Sequence, residues 1–167
     1  ANVDGLAVSG AEAADTFDVT AGAIPISIDG GDANGAGDVI AIAAGANSAT
    51  FNAGPENDEG SFAIGGAAGL VSFDHVESLT VDGTSVAGNA ATVNGTSADN
   101  DITLTATATD DFTVGIDGQT VTFTDFNSAS LSGGDGADDI SVTSLAAFTT
   151  TVTVAGDSPT GTTGDTL

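Results

Sequence analysis

The chain has 167 residues, with 24 Asp or Glu, one His and no Lys or Arg, and its formal net charge is −24 at pH 7. Without cationic side chains it cannot neutralise itself through salt bridges, so its compact state needs screening or bound cations, and oxygen-only ligands suit Ca²⁺ first. Nucleic acid and membrane insertion are excluded: there is no basic patch for phosphate backbones or anionic lipid, and no apolar run long enough to span a bilayer.

Hydrophobic residues make up 40% and the mean hydropathy is +0.21, too apolar for a chain that stays unfolded. There is no cysteine, so no disulfide staples the fold. No signal peptide is visible, and a start at Ala1 without Met fits a processed or excerpted product. An extracellular location is expected, because resting cytosol holds too little free calcium to fill weak sites.

In chain order, apolar residues recur as i, i+2 pairs: Phe17/Val19, Ile26/Ile28, Phe62/Ile64, Val71/Phe73 and Leu79/Val81. The second half continues with Ile102/Leu104, Phe112/Val114, Val121/Phe123, Ile140/Val142 and Val152/Val154. Each pair is flanked by Thr, Ser or Asp, which predicts a half-buried strand. Gly-Asp clusters separate many of them.

Three internal similarities tile most of the chain. SFAIGGAAGLVSFDHVESLTVDG from Ser61 matches DFTVGIDGQTVTFTDFNSASLSG from Asp111 without a gap. A second unit recurs from Val8, Val93 and Leu131, and a third joins Pro25 onward to Thr151 onward. Shuffled repeats of this kind predict an all-β fold, a parallel β-solenoid or β-helix-like repeat domain over 1–167. Asp117-Gly118 between alternating strands is a type I′ hairpin signal. It keeps open tandem antiparallel β-sandwiches, split at 1–83 and 84–167.

Gly133-Gly134-Asp135-Gly136-Ala137-Asp138-Asp139-Ile140-Ser141 satisfies the nonapeptide G-G-x-G-x-D-x-U-x. Its glycines permit a tight turn, Asp138 supplies a carboxylate and Ile140 plugs the core. Asp135, Asp138 and Asp139 are therefore candidate calcium ligands. Degenerate versions add Asp29, Asp32 and Asp38, and Asp99 with Asp101. The nonapeptide resembles the repeats-in-toxin, haemolysin-type calcium-binding β-roll. The larger units, VTFTDFNSASLSGGDGADDISVTSL and VSFDHVESLTVDG, resemble repeats of very large secreted bacterial surface proteins of the planctomycete type. That resemblance implies calcium-bound β arrays with structural or adhesive roles.

Catalytic chemistry finds little support. His75, in Ser72-Phe73-Asp74-His75, has no accompanying oxyanion-hole motif, and the duplicated unit carries Asp125 in its place. Asp110/Asp111 and Asp138/Asp139 read as turn or calcium groups rather than a glycosidase pair. Thr103, Thr105, Thr107 and Thr109 alternate, as do Thr120, Thr122 and Thr124, which offers a Thr face for a glycan or ice. The termini carry no cap, so unpaired strand edges invite head-to-tail self-association. The expectation is a non-enzymatic, calcium-stabilised subunit of a fibre or surface layer, with a monomeric adhesin as the alternative.

Overall fold

The computed structural model describes residues 3–31, 37–67, 69–84, 88–143, 146–157 and 166. The chain enters through β1 (Leu6–Ser9), β2 (Thr16–Val19), β3 (Ile26–Asp29) and β4 (Val39–Gly45). A meander follows, β5 (Ala49–Ala53), β6 (Gly60–Ile64) and β7 (Leu70–Asp74), and then β8 (Ser78–Gly83) and β9 (Ala90–Asn94). A second meander, β10 (Asp101–Ala106), β11 (Phe112–Ile116) and β12 (Gln119–Thr124), leads to β13 (Ser128–Ser132), β14 (Asp139–Thr143) and β15 (Thr151–Ala155). No helix occurs among the described residues, so none there is long and apolar enough to cross a membrane.

The strands form two open, mixed sheets. The first has the order β1-β3-β7-β6-β5-β9-β13-β15 and the second β14-β10-β11-β12-β8-β4-β2. Outside the meanders, each turn carries the chain from one sheet to the other. In each sheet all strands run one way except a single reversed strand, β6 in the first and β11 in the second. Ladders cross residue 83 in both sheets, β5 on β9 and β8 on β12.

The gapless repeat has a structural counterpart with an exchange. Residues from Ser61 supply β6 and β7 to the first sheet and β8 to the second, whereas the matching residues from Asp111 supply β11 and β12 to the second and β13 to the first. The two meanders are thus equivalent pieces placed in opposite sheets. Asp117 (φ 50°) and Gly118 (φ 102°) form the predicted hairpin turn, pairing Ile116 with Gln119 and Phe112 with Phe123.

Both sheets feed one buried cluster. Phe51, Phe62 and Phe73 cluster beneath the first meander, with ring centroids 5.1 to 6.3 Å apart. Phe112 and Phe123 stack beneath the second, and Phe126 meets Phe123 edge-on at 5.7 Å. Flanking this, Ala49, Ala91 and Ala129 are register partners across β5, β9 and β13, all buried. Phe123→Ala removes a fully buried ring from two aromatic contacts and is expected to cost about 3–5 kcal/mol in denaturant unfolding.

Candidate metal centre and acidic rim

Because the strands of each sheet run one way, every turn from the first sheet to the second lies at the same end of the molecule. Most acidic residues gather there. Glu12 and Asp15 follow β1, Asp29 and Asp38 flank the turn after β3, and Asp74 and Glu77 that after β7. Asp99 and Asp101 follow β9, and Asp135, Asp138 and Asp139 follow β13. Glu56, Asp58 and Glu59 in the β5–β6 loop and Asp117 of the hairpin share this rim. By contrast, the outward rows of the sheets are mainly Ser, Thr and Asn. One such row is Ser27, Ser72, Ser61, Asn52, Asn94 and Ser132.

In the absence of Lys and Arg, backbone N–H groups serve as the rim's donors. Asp38 Oδ1 accepts the Asp15 N–H at 2.6 Å, and Glu77 Oε2 accepts the Asp38 N–H at 2.5 Å. Asp138 Oδ1 accepts the Asn100 N–H at 2.8 Å, and Asp117 Oδ1 the Asp101 N–H at 2.8 Å. Asp38, Glu77 and Asp138, each just before a strand of the second sheet, thus cap a neighbouring turn, and Asp117 of the hairpin does the same, so these bonds tie together turns distant in sequence. Asn89 plays the same part before β9: its Oδ1 accepts the Asn127 N–H at 3.1 Å and the Asn127 Nδ2–H at 2.9 Å.

The predicted ligands are distributed unevenly along this rim. Asp38 and Asp138 are buried, while Asp29, Asp99, Asp101, Asp135 and Asp139 are exposed. Asp32 lies outside the described residues. Asp138 sits beneath Gly133, where a Cβ would collide with its carboxylate, and Asp139 Oδ1 accepts the Thr166 hydroxyl at 2.8 Å. Asp29 accepts the Gly31 N–H and pairs with His75, and Asp99 accepts the Ala137 N–H. Asp38 Oδ2 is buried and accepts no hydrogen bond within the described structure. A charged oxygen buried in that state is costly unless a cation reaches it.

At the opposite end, a group of three carboxylates does converge. Asp110, Asp111 and Asp125 each place one oxygen within 4.8 Å of the others, all half-buried. Asp111 Oδ1 accepts the Asp125 N–H at 2.9 Å, and the Asp110 carbonyl accepts the Phe126 N–H at 3.0 Å. Three carboxylate oxygens this close repel one another unless a hard cation or protons intervene. Asp110 and Asp111 are the pair that the sequence offers as turn or calcium groups, whereas Asp125 stands in the sequence only as the counterpart of His75. The missed signal was the hairpin register: counting outward from Asp117-Gly118 pairs Phe112 with Phe123 and sets Asp110 and Asp111 beside Asp125.

His75 occupies the equivalent corner of the first meander, with φ 54° against 61° for Asp125. Its Nδ1 lies 3.0 Å from Asp29 and 3.8 Å from Asp74, whereas the Ser72 hydroxyl donates to the Ile26 carbonyl. The hydrogen bond to Asp29, followed by the Asp74 charge, raises the imidazole above its ordinary 6.5. The same bond lowers Asp29 below 3.8. The pair therefore stabilises the fold between these two titrations. Its contribution fades as pH rises through the raised imidazole or falls through the lowered carboxyl. NMR titration of the sole histidine is expected to show a midpoint above 6.5, returning toward that value in Asp29→Asn.

A cleft of about 500 Å³ between the β2–β3, β4–β5 and β6–β7 turns is lined by small residues with Asn47 and Ile64, and by no titratable side chain. No protein-family model, curated protein or solved structure matches the chain.

Proposed function

We propose that this chain is an extracellular, calcium-stabilised structural module, a unit of a fibre or surface layer whose copies associate end to end. The observation that carries this reading is the one-ended acidic rim of a chain with no Lys or Arg, with the buried Asp38 oxygen within it. In this reading the rim, at Asp38, Asp135, Asp138 and Asp139, and the Asp110/Asp111/Asp125 corner hold Ca²⁺. Calcium supplies the charge compensation that no side chain of the protein provides. The winding between two sheets of mostly parallel strands supports a solenoid description, with a meander set into each sheet. It accords with the likeness to repeats of large secreted bacterial surface proteins. Equilibrium dialysis of the metal-free protein against calcium at fixed ionic strength tests it: saturable uptake supports the reading, and none up to millimolar calcium sinks it.

A second reading rests on the outer face of the second sheet. Thr143, Thr105, Thr113, Thr122 and Thr80 are successive register partners across five strands, an uncharged hydroxyl row with about 4.8 Å between neighbours. Thr103 and Thr120 lie in the adjacent row, whereas Thr107 and Thr109 lie in the loop beyond β10. Such a row supports a monomeric adhesin that lies flat on glycan or ice. If so, Thr113→Lys with Thr122→Lys abolishes retention on ice or insoluble polysaccharide and leaves calcium uptake unchanged.

A further inference from the structure

Resting on the end-to-end reading, we infer that the partner at each end is a second copy of this chain, placed by translation so that its β1 pairs in parallel with β15. Among the described residues these strands are the two edges of the first sheet, and they run in the same direction. The Leu6 N–H donates to Pro25 O and the Gly10 N–H to Asp29 O, so Leu6 and Val8 direct their backbone groups toward β3. By the two-residue alternation of a strand, Ala7 and Ser9 direct theirs to the open side. On β15 the Thr151 N–H donates to Asn127 O, and Ala155 O accepts from Gly133, which leaves Val152 and Val154 facing the other open side.

Side-chain facing selects the register. Val152 and Val154 pack against the core, and Leu6 and Val8 are the register partners of Ile26 and Ile28 on the core side. Matching core residue to core residue sets Val152 against Leu6 and Val154 against Val8. Val152 then bonds Gly5 and Ala7 of the next copy, and Val154 bonds its Ala7 and Ser9, so each open group meets a complement. The turns continue in phase as well. Gly10, Gly95 and Gly133 donate to the next strand's last residue, Asp29, Ser132 and Ala155 respectively. Gly156, after β15, would repeat this toward Ser9 of the next copy. In the second sheet, Thr166 already bridges Asp139 in parallel beyond β14, the same direction of growth. Leu6 at one end is 51% exposed and Val142 at the other 38%, and the contact buries both. Each end presents a different surface, so the contact is heterologous and grows as an open polymer rather than closing. Translation also sets the acidic rims in line, which ties growth to divalent cations.

The absence of cysteine permits a disulfide test. Ala7 and Thr153 are exposed, and the inferred register makes them partners on adjacent strands, about 4.8 Å apart and within disulfide reach. Chains carrying both Ala7→Cys and Thr153→Cys, oxidised in millimolar calcium, give dimers, trimers and longer species on a non-reducing gel, while each single variant runs as monomer. A dimer from Ala7→Cys alone assigns β1 to a closed twofold contact and overturns the inference. So does the absence of a ladder from a double variant that calcium still stabilises, a result that leaves the calcium reading standing. A ladder formed equally in EDTA upholds the edge pairing and overturns the calcium reading.

Discussion

Chelation at low ionic strength is expected to lower the melting temperature of this chain by about 5–10 °C per calcium site lost. The figure follows from two scales. A ligand at a hundred times its Kd stabilises the folded state by about 2.7 kcal/mol. One kcal/mol moves the midpoint of a domain this size by about 2–4 °C. Carboxylates on the rim lie on adjacent turns, well inside the roughly 30 Å screening length of 10 mM salt. Sodium chloride at matched ionic strength separates screening from binding, since it weakens repulsion without occupying an oxygen cage. A midpoint indifferent to the exchange of EDTA for calcium at fixed ionic strength would sink the metal reading.

The second large effect is steric. A Cβ at Gly30 would fall well inside van der Waals contact of the His75 carbonyl and 2.7 Å from Asp38 Oδ2. The first neighbour is backbone, held by the ladder in which the Gly30 N–H donates to Asp74 O. Relief therefore requires separating stacked turns. Gly30→Ala should destabilise by about 3 kcal/mol or more, at or beyond the upper end of overpacking costs. Gly95→Ala, crowded in the same way by the Gly133 carbonyl, should behave alike. Gly22→Ala is the control, with nothing within 4 Å of the added carbon, and should change thermal unfolding little.

All ten apolar pairs marked in the sequence fall on strands, because an i, i+2 pattern has one local cause, a pleated strand with one face in the core. The Asp117-Gly118 hairpin was legible for a similar reason, since its two positive φ angles are written in two adjacent residues. β1, β4, β5, β9 and β13 carry none of these pairs. In β5, β9 and β13 the core positions include Ala49, Ala91 and Ala129, too small to stand out from Ala-rich loops, and only packing across the sheet reveals them as core. The nonapeptide located a buried aspartate, Asp138, yet the carboxylates that converge, Asp110, Asp111 and Asp125, come from two segments joined by a hairpin register.

The sequence by itself determined the strand period and the uncompensated charge of −24 from a chain with no Lys or Arg. These depend on residue type and on spacing along one segment. Only the tertiary structure decided that the two copies of the long repeat lie in opposite sheets, and that most of the acid sits at one end. The first follows from the three crossings between sheets that separate the meanders, at β7–β8, β8–β9 and β9–β10. The second follows from strand direction: once neighbours run parallel, every turn from the first sheet to the second is carried to the same side, and local sequence does not record direction.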